Sequence, residues 1–289
     1  MNNTLSSIRN TLQQCYTSQE AAALSRIICC EIFGQSVTDY YLGKDMSLSS
    51  NEASKLRDIL EQLTKFRPIQ YIMGTARFLQ RDFYVTSSVL IPRPETEELV
   101  EKLLQEVPAD AHILDIGTGS GCIAVSVAKE LPNAQVEAWD VSEEALAVAR
   151  INSERQQVSV SFRQCDVLNY QPSQVGCYDV IVSNPPYIAQ KEQTDMQRNV
   201  LDWEPSLALF VPDEDPLLFY RRIGELGQTL LVAGGRLYFE INRAYGPDVV
   251  ELLLRQGYVE VRLERDLSGN DRFVMAQKGE RMPQPATGQ

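Results

Sequence analysis

Segments with strand character and segments with helix character alternate from Ala111 to residue 277, and this alternation constrains the fold most strongly. Short apolar runs are followed by longer segments whose apolar residues recur at helical spacing. Strands joined by helical crossovers run parallel, and the helices cover both faces of the sheet. We therefore predict an α/β fold with a mostly parallel sheet of seven strands. The candidate strands are 111–116, 134–139, 158–163, 178–183, 235–241, 257–264 and 271–277, and the candidate helices lie near 95–106, 120–130, 142–156, 215–233 and 245–256.

The chain of 289 residues is too long for one small core, and its N-terminal part has a different pattern. Apolar residues recur there at helical spacing; one helix is predicted to open at Ser49-Ser50-Asn51-Glu52 and to end before Pro68, which indicates a small helical bundle. Two short strands are predicted at 70–74 and 83–85, where they form a β-hairpin. The predicted division is 1–68 for the helical domain, 69–94 for the hairpin and a stiff linker, 95–278 for the main domain and 279–289 for a disordered tail.

Charge and cysteine content exclude several classes of site. The net charge is −12, and the acidic excess lies in 76–289, so the surface argues against direct nucleic-acid binding. No apolar run approaches the ~20 residues that span a bilayer. Met1-Asn2-Asn3-Thr4 does not begin a secretory signal, so we expect a cytoplasmic protein with no membrane contact. Six cysteines without C-x-x-C spacing and a single histidine, His112, argue against a metal site.

A glycine-rich turn follows the first candidate strand of the main domain. The strand ends in Asp115-Ile116 and leads into Gly117-Thr118-Gly119-Ser120-Gly121, and a helix is predicted to begin at Cys122. Glycine allows positive φ and lets the backbone approach a ligand closely. The spacing is G-x-G-x-G, which differs from the dinucleotide pattern G-x-G-x-x-G. The turn is therefore a candidate cofactor loop.

Carboxylates follow the next two candidate strands. Asp140 lies 19 residues after Gly121, near the offset of roughly 20 expected for a carboxylate on ribose hydroxyls. Asp166 could accept a hydrogen bond from an adenine amino group while Val167 packs on the ring. These features fit S-adenosyl-L-methionine better than NAD, because the former needs no pyrophosphate-binding helix end. Asp115 would hold the methionine ammonium, directly or through water.

The tetrapeptide Asn184-Pro185-Pro186-Tyr187 follows the candidate strand 178–183. Proline fixes φ and has no N–H, so this segment is stiff and its carbonyls stay free to accept hydrogen bonds. The Asn184 side-chain oxygen and the Pro185 carbonyl could bind both hydrogens of a planar –NH₂ group, and Tyr187 would pack against that group's side chain. We predict that Asn184, Pro185 and Tyr187 act in catalysis, that Pro186 helps to bind the substrate, and that Asn184 also contacts the cofactor.

The chain resembles a known family at these motifs. Asp115–Gly121 together with Asn184–Tyr187 is similar to the class I amino-methyltransferases. Pro68–Gly74, Phe83-Tyr84-Val85 and Ile91-Pro92-Arg93-Pro94-Glu95-Thr96-Glu97 narrow the resemblance to the release factor glutamine methyltransferases, also called the HemK or PrmC family. The resemblance covers nearly the whole chain. Two departures are Ser120, where threonine is frequent, and Val167, where some relatives carry tryptophan.

This resemblance implies a Rossmann-like class I methyltransferase domain and N5-methylation of a glutamine side chain in peptide chain release factors, within their Gly-Gly-Gln motif. It implies S-adenosyl-L-methionine as cofactor and an N-terminal bundle that helps to grip the release factor. We predict no metal in the reaction. We expect a monomer.

Two other functions use the same motifs. An adenine-N6 methyltransferase acting on DNA or RNA would present the same Asn-Pro-Pro-Tyr segment to an aromatic amino group. The acidic charge balance and the lack of a basic recognition segment argue against it. A non-catalytic adaptor that binds S-adenosyl-L-methionine would not need Asn184.

Overall fold

The computed structural model describes residues 4–280, and its contacts divide them into two compact units. The first unit runs to Thr75 and also includes Gln197–Trp203. The second unit contains Ala76–Met196 and the chain from Glu204 onward. The tail predicted at 279–289 lies outside the described residues except for its first two positions.

The strands and helices predicted for the main domain occur in the predicted order, and short elements that were not predicted lie between residues 188 and 211. The α-helices are α1 (Thr4–Leu12), α2 (Ser18–Arg26), α3 (Val37–Tyr41), α4 (Ser50–Thr64), α5 (Ile69–Met73), α6 (Pro94–Glu106), α7 (Cys122–Glu130), α8 (Glu143–Gln156), α9 (Arg198–Leu201), α10 (Leu218–Leu230) and α11 (Gly246–Arg255), and a π-helical segment, Ile27–Ile32, continues α2. The strands are β1 (Thr75–Phe78), β2 (Arg81–Tyr84), β3 (His112–Ile116), β4 (Gln135–Asp140), β5 (Ser161–Gln164), β6 (Tyr178–Ser183), β7 (Ile188–Ala189), β8 (Phe210–Val211), β9 (Leu231–Glu240), β10 (Tyr258–Arg265) and β11 (Asp271–Lys278).

The first unit is helical, as predicted. The hydroxyl of Ser49 accepts a hydrogen bond from the Glu52 N–H at 3.3 Å, and the Glu52 carboxylate accepts one from the Ser49 N–H at 2.8 Å. This capping box satisfies backbone donors that the first turn of α4 leaves unpaired. Apolar residues of α1 and α4 then contribute much of the core of the unit: Leu5, Ile8, Leu12, Leu56, Ile59 and Leu63.

The strand predicted at 70–74 is wrong, because the chain forms the short helix α5 there. The Ile72 N–H donates to the Pro68 carbonyl at 3.2 Å, which closes a helical turn. Gly74 ends the helix with φ +70°, a left-handed conformation that glycine adopts without a Cβ penalty. The hairpin is formed instead by β1 and β2, and the second strand predicted there overlaps β2.

The second unit contains a seven-stranded sheet in the order β10-β11-β9-β6-β3-β4-β5. The strand β11 is antiparallel to both of its neighbours, and the remaining pairs are parallel. Successive residues of a strand face opposite sides. Thus Ile113 packs into a core with Leu99 of α6, whereas Leu114 packs into a second core with Ile223 of α10. The prediction of a mostly parallel sheet with both faces covered is confirmed.

The strand order places a topological switch point between β3 and β6. From β3 the chain continues to β4 and β5 on one side, and then returns to β6 on the other side. Ile116 and Ser183, the last residues of these strands, are register partners. Ligands of open α/β sheets bind outside the carboxyl ends of the strands at such a point. The fold therefore brings the glycine turn and the Asn-Pro-Pro-Tyr segment to the same edge.

Within the residues that the structure describes, no helix combines the length and the apolar character needed to span a bilayer.

Candidate functional site

A cavity of about 310 Å³ opens at the carboxyl ends of β3, β4, β5 and β6. Its volume falls within the range of roughly 300–1,000 Å³ that small-molecule sites occupy. Three predicted site residues, Asp115, Gly121 and Tyr187, lie behind its lining rather than in it. The structure brings the other predicted residues together in the lining: Gly117, Thr118, Gly119, Ser120, Asp140, Asp166, Val167, Asn184, Pro185 and Pro186.

The glycine turn wraps closely around this cavity. Gly117, Gly119 and Gly121 have φ values of +77°, +55° and +79°, so each requires the left-handed region that glycine tolerates. A Cβ built on Gly117 or Gly119 would meet nothing within 4 Å, whereas one on Gly121 would lie 3.0 Å from the Cβ of Ala149. The first two glycines thus leave open space beside the backbone, and the third allows α7 and α8 to pack closely.

Asp115 is fully buried beneath this turn. Its Oδ2 accepts a hydrogen bond from the Thr118 hydroxyl at 2.6 Å, whereas Oδ1 has no hydrogen-bond partner within residues 4–280. Burial raises the pKa of Asp115 to about 7, and the charge of Asp140 adds to this, although the Thr118 hydroxyl and the nearby Ala124 N–H favour the ionised form. A buried acceptor without a donor costs about 1–3 kcal/mol. A cation or N–H group that reaches this oxygen, directly or through water, would recover that energy.

Asp140 fastens the turn to the end of β4. Its Oδ2 accepts from the Gly119 N–H at 2.9 Å, and its Oδ1 accepts from the Ser142 N–H at 2.9 Å. Burial raises the pKa of Asp140, while these backbone donors oppose the shift. An ionised carboxylate has about four acceptor sites. Both oxygens therefore keep capacity for hydroxyl donors in the cavity.

Asp166 follows β5 and is bound mainly by its own loop. Its Oδ1 accepts from the Leu168 N–H at 3.0 Å, and its Oδ2 accepts from the Asn169 side-chain amide at 2.7 Å. The neighbouring Val167 is buried, and its carbonyl accepts from the Arg222 guanidinium at 3.1 Å. Asp166 lines the cavity as predicted from the sequence, and its carboxylate is held in place by these local bonds.

The Asn-Pro-Pro-Tyr segment leaves β6 beside the glycine turn. The Ser183 hydroxyl donates to the Ile116 carbonyl at 2.6 Å and joins the two strand ends. The Asn184 side-chain N–H donates to the Thr96 hydroxyl at 3.1 Å, and Pro185 is buried. Tyr187 turns away from the cavity, since its hydroxyl donates to the Glu240 carboxylate at 3.2 Å. Asn184 and the two prolines thus face the cavity, while Tyr187 braces them from behind.

Comparisons with known proteins agree with this arrangement. Residues 3–74 match the family PrmC N-terminal domain, and residues 94–202 match the family Methyltransferase small domain. The chain is 52% identical to the release factor glutamine methyltransferase of Bacteroides thetaiotaomicron over 278 residues, which cover 96% of this chain and 100% of the relative. The chain belongs to the release factor glutamine methyltransferase family. The resemblance stated from its motifs is therefore confirmed.

A further relative and a solved structure support the assignment to this methyltransferase family and its fold. The release factor glutamine methyltransferase of Flavobacterium psychrophilum is 46% identical over 241 residues, which cover 82% of this chain and 84% of the relative. Among solved structures, a methyltransferase from Pyrococcus furiosus is 20% identical and has a TM-score of 0.51, covering 80% of this chain and 100% of its own. That likeness concerns the fold, and it confirms the predicted class I methyltransferase architecture.

Sequence reasoning missed Thr96, which lines the cavity, and two buried carboxylates, Glu240 and Glu204, that bind lining residues. Glu240 is buried at the end of β9 and binds the hydroxyl of Thr96, which lies in the first turn of α6. Glu204 is also buried; its carboxylate accepts from the Arg93 guanidinium at 2.6 Å and from the Ile91 N–H at 3.3 Å. A sequence signal for Glu240 was available, since it is a carboxylate at the end of the candidate strand 235–241. Nothing local marks Glu204.

Proposed function

We propose that this protein transfers the methyl group of S-adenosyl-L-methionine to the side-chain amide nitrogen of the glutamine in the Gly-Gly-Gln motif of peptide chain release factors. One observation carries the proposal: a glycine turn and an Asn-Pro-Pro segment line one cavity in a chain of the release factor glutamine methyltransferase family. The first feature suits the cofactor and the second suits a planar amide.

The residues at the cavity fit S-adenosyl-L-methionine. Asp115 lies behind the cavity lining, and its unpartnered Oδ1 suits the methionine ammonium, directly or through water. The open space beside Gly117 and Gly119 suits the amino-acid moiety. Asp140 would accept from the ribose hydroxyls. We assign the adenine to Asp166 and Val167, with Thr118, Ser120 and Asn184 completing the cofactor site and Gly121 supporting the turn from behind the lining. When bound, the cofactor supplies a methyl group made electrophilic by a sulfonium.

The acceptor side supplies orientation. An amide nitrogen is a poor nucleophile because its lone pair is delocalised, so positioning the reacting atoms about 3–3.5 Å apart carries much of the catalysis. We assign the Asn184 side-chain oxygen and the Pro185 carbonyl as acceptors for the two amide hydrogens. Their dipoles also stabilise positive charge that develops on the nitrogen. Pro186 keeps the segment rigid, and Tyr187 supports it through Glu240.

The macromolecular partner is a protein in this proposal. We assign the grip on the release factor to the N-terminal helical region, residues 1–68, as the resemblance implied. The net charge of −12 supports a protein partner over nucleic acid. A substrate that acts in translation places the reaction in the cytoplasm, and a monomer is sufficient for it.

A methyl-transfer assay with tritiated S-adenosyl-L-methionine tests the proposal. Three acceptors are offered: a release factor, its variant with the Gly-Gly-Gln glutamine changed to alanine, and an adenine-containing oligonucleotide. We expect label only on the unmodified release factor. Label on the oligonucleotide would instead identify an adenine methyltransferase. Cofactor binding without transfer to any of the three would indicate an adaptor.

The cofactor's affinity is expected to depend on pH through Asp115. In the ligand-free protein the pKa of Asp115 is about 7, well above the ordinary 3.8, so the carboxyl stays protonated in acid. Because the folded state holds this proton more tightly than the unfolded state does, the free energy of unfolding decreases as pH rises from about 3.8 to about 7. A bound ammonium favours the ionised form. The dissociation constant for S-adenosyl-L-methionine should therefore fall by tens of fold (~50) from pH 5 to pH 7, as titration calorimetry would measure.

The matched variant for this experiment is Asp115→Asn, which keeps the shape of the side chain and cannot ionise. Its affinity for the cofactor should be weaker at pH 7 and nearly constant over the same pH range. A wild-type affinity that does not change between pH 5 and pH 7 would show that Asp115 does not meet the ammonium.

A further inference from the structure

An asparagine side chain at this site can present either of two ends to its substrate. Its oxygen only accepts hydrogen bonds, and its NH₂ group only donates them. An acceptor amide that must be held by its own NH₂ group needs the oxygen of Asn184. The reversed side chain would set two donors against each other. Some feature of the protein must therefore fix which end faces the cavity.

A chain of two hydrogen bonds sets this orientation. The Thr96 hydroxyl donates to Oε2 of Glu240 at 2.6 Å, and the Asn184 NH₂ group donates to the Thr96 oxygen at 3.1 Å. A carboxylate can only accept, so the single hydroxyl hydrogen of Thr96 is directed to Glu240. The Thr96 oxygen is then left with lone pairs alone. It selects the NH₂ end of Asn184 and leaves the amide oxygen for the cavity.

Glu240 is itself held as an acceptor. It is 1% exposed, and its other oxygen accepts the Tyr187 hydroxyl at 3.2 Å. Its backbone carbonyl accepts the Tyr220 hydroxyl at 3.3 Å. Burial raises the pKa of Glu240, while the Thr96 hydroxyl, the charge of Arg272 and the Tyr187 hydroxyl favour the ionised carboxylate. Thr96 is 2% exposed, so water does not compete for its hydroxyl.

From this geometry we infer that Thr96 is a positioning residue for methyl transfer: anchored by Glu240, it holds the Asn184 carboxamide with its oxygen toward the acceptor nitrogen. The inference rests on the proposed function and adds Thr96, which lines the cavity, and Glu240, which lies behind the lining. Asn184 without this anchor turns freely between two orientations, of which one repels the acceptor. Loss of Thr96 therefore lowers turnover more than it lowers cofactor affinity.

Thr96→Val removes the hydroxyl and keeps the shape of the side chain. We expect kcat for the release factor to fall about 10–100-fold, the range that follows from one buried donor or acceptor left unmatched. The dissociation constant for S-adenosyl-L-methionine should stay within about threefold. Thr96→Ser restores the hydroxyl and should restore most of kcat. This separation of kcat from affinity, with recovery in the serine variant, is not expected of a hydroxyl that only supports the fold.

Ser126→Ala is the matched control. Its hydroxyl is also buried in a helix of the second unit, but it has no hydrogen-bond partner among the described residues and does not line the cavity. This variant should keep wild-type kcat. The inference is overturned if Thr96→Val turns over like Ser126→Ala, or if a folded Thr96→Ser is as slow as Thr96→Val.

A measurement on the wild type keeps the test independent of activity and of how the variants fold. With asparagine labelled by ¹⁵N, the Asn184 side-chain signals are those that Asn184→Ala lacks. At least one of its amide protons should exchange with solvent about tenfold or more slowly than those of exposed Asn133, because it bonds to Thr96. Equal exchange at both asparagines would overturn the inference. A wild type that shows this protection but does not methylate the release factor would instead refute the proposed function.

Discussion

Asn184→Ala is expected to lower kcat for the release factor by about 100–1,000-fold while the dissociation constant for S-adenosyl-L-methionine rises less than about threefold. The substitution removes an acceptor placed for the substrate amide, and it leaves Asp140 and the glycine turn intact. The one described hydrogen bond of the Asn184 side chain goes to Thr96, and none goes to the glycine turn. The substitution should therefore leave the conformation of that turn, and with it cofactor binding, largely intact. Steady-state turnover and titration calorimetry on the same preparation measure both quantities.

The control for this prediction is Asn133→Ala, which removes an exposed carboxamide far along the chain from the motif and should change neither quantity. Thermal unfolding of both variants checks that the fold is retained. If Asn184→Ala weakens cofactor binding as much as Asp140→Ala does, then the division between acceptor residues and cofactor residues is wrong.

Local sequence signals were sufficient for the elements that carry the candidate site. The strands before Gly117 and Asn184 are short apolar runs, and each motif follows directly at the strand end. Glycines at alternate positions predict a turn with positive φ values from the local sequence alone. The alternation of strands and helices then implies a parallel sheet, which brings such strand ends to one edge. Both the two motifs and their position at one edge of the sheet could therefore be predicted from the sequence.

The segment 70–74 shows where local reasoning fails. Five residues that mix polar and apolar side chains fit one turn of helix as well as a short strand. The helix α5 is selected because Pro68 accepts the first bonds of the turn and Gly74 ends it in a left-handed conformation. The hairpin predicted for this segment forms farther along the chain instead, between β1 and β2.

Contacts between distant residues could not be predicted from one sequence. Thr96 and Glu240 are 144 positions apart, and only the folded sheet brings α6 to the end of β9. The segment Gln197–Trp203 belongs to the first unit although it follows β7: the Trp203 indole N–H donates to the Lys65 carbonyl at 3.0 Å. Such pairings depend on the fold as a whole. The domain limits drawn from the sequence, such as 1–68, remain predictions.

Asp140→Ala is expected to produce the opposite pattern to Asn184→Ala. The dissociation constant for S-adenosyl-L-methionine should rise about 100-fold or more, while kcat at saturating cofactor falls less than about tenfold. Two effects add. The ribose loses its acceptor, and the N–H groups of Gly119 and Ser142 lose theirs, at about 1.5–3 kcal/mol for each hydrogen bond to a charged group. The ligand must then order a looser turn as it binds.

Asp140→Asn helps to separate these two effects. An amide has one oxygen, so its NH₂ group must face either the Gly119 N–H or the Ser142 N–H, and one donor of the turn loses its partner. Its affinity should lie between those of wild type and Asp140→Ala. Asp110→Ala removes an exposed carboxylate and should leave binding unchanged. If both Asp140 variants bind the cofactor like wild type, the ribose does not lie at the end of β4, and the assignment of Asp140 is wrong.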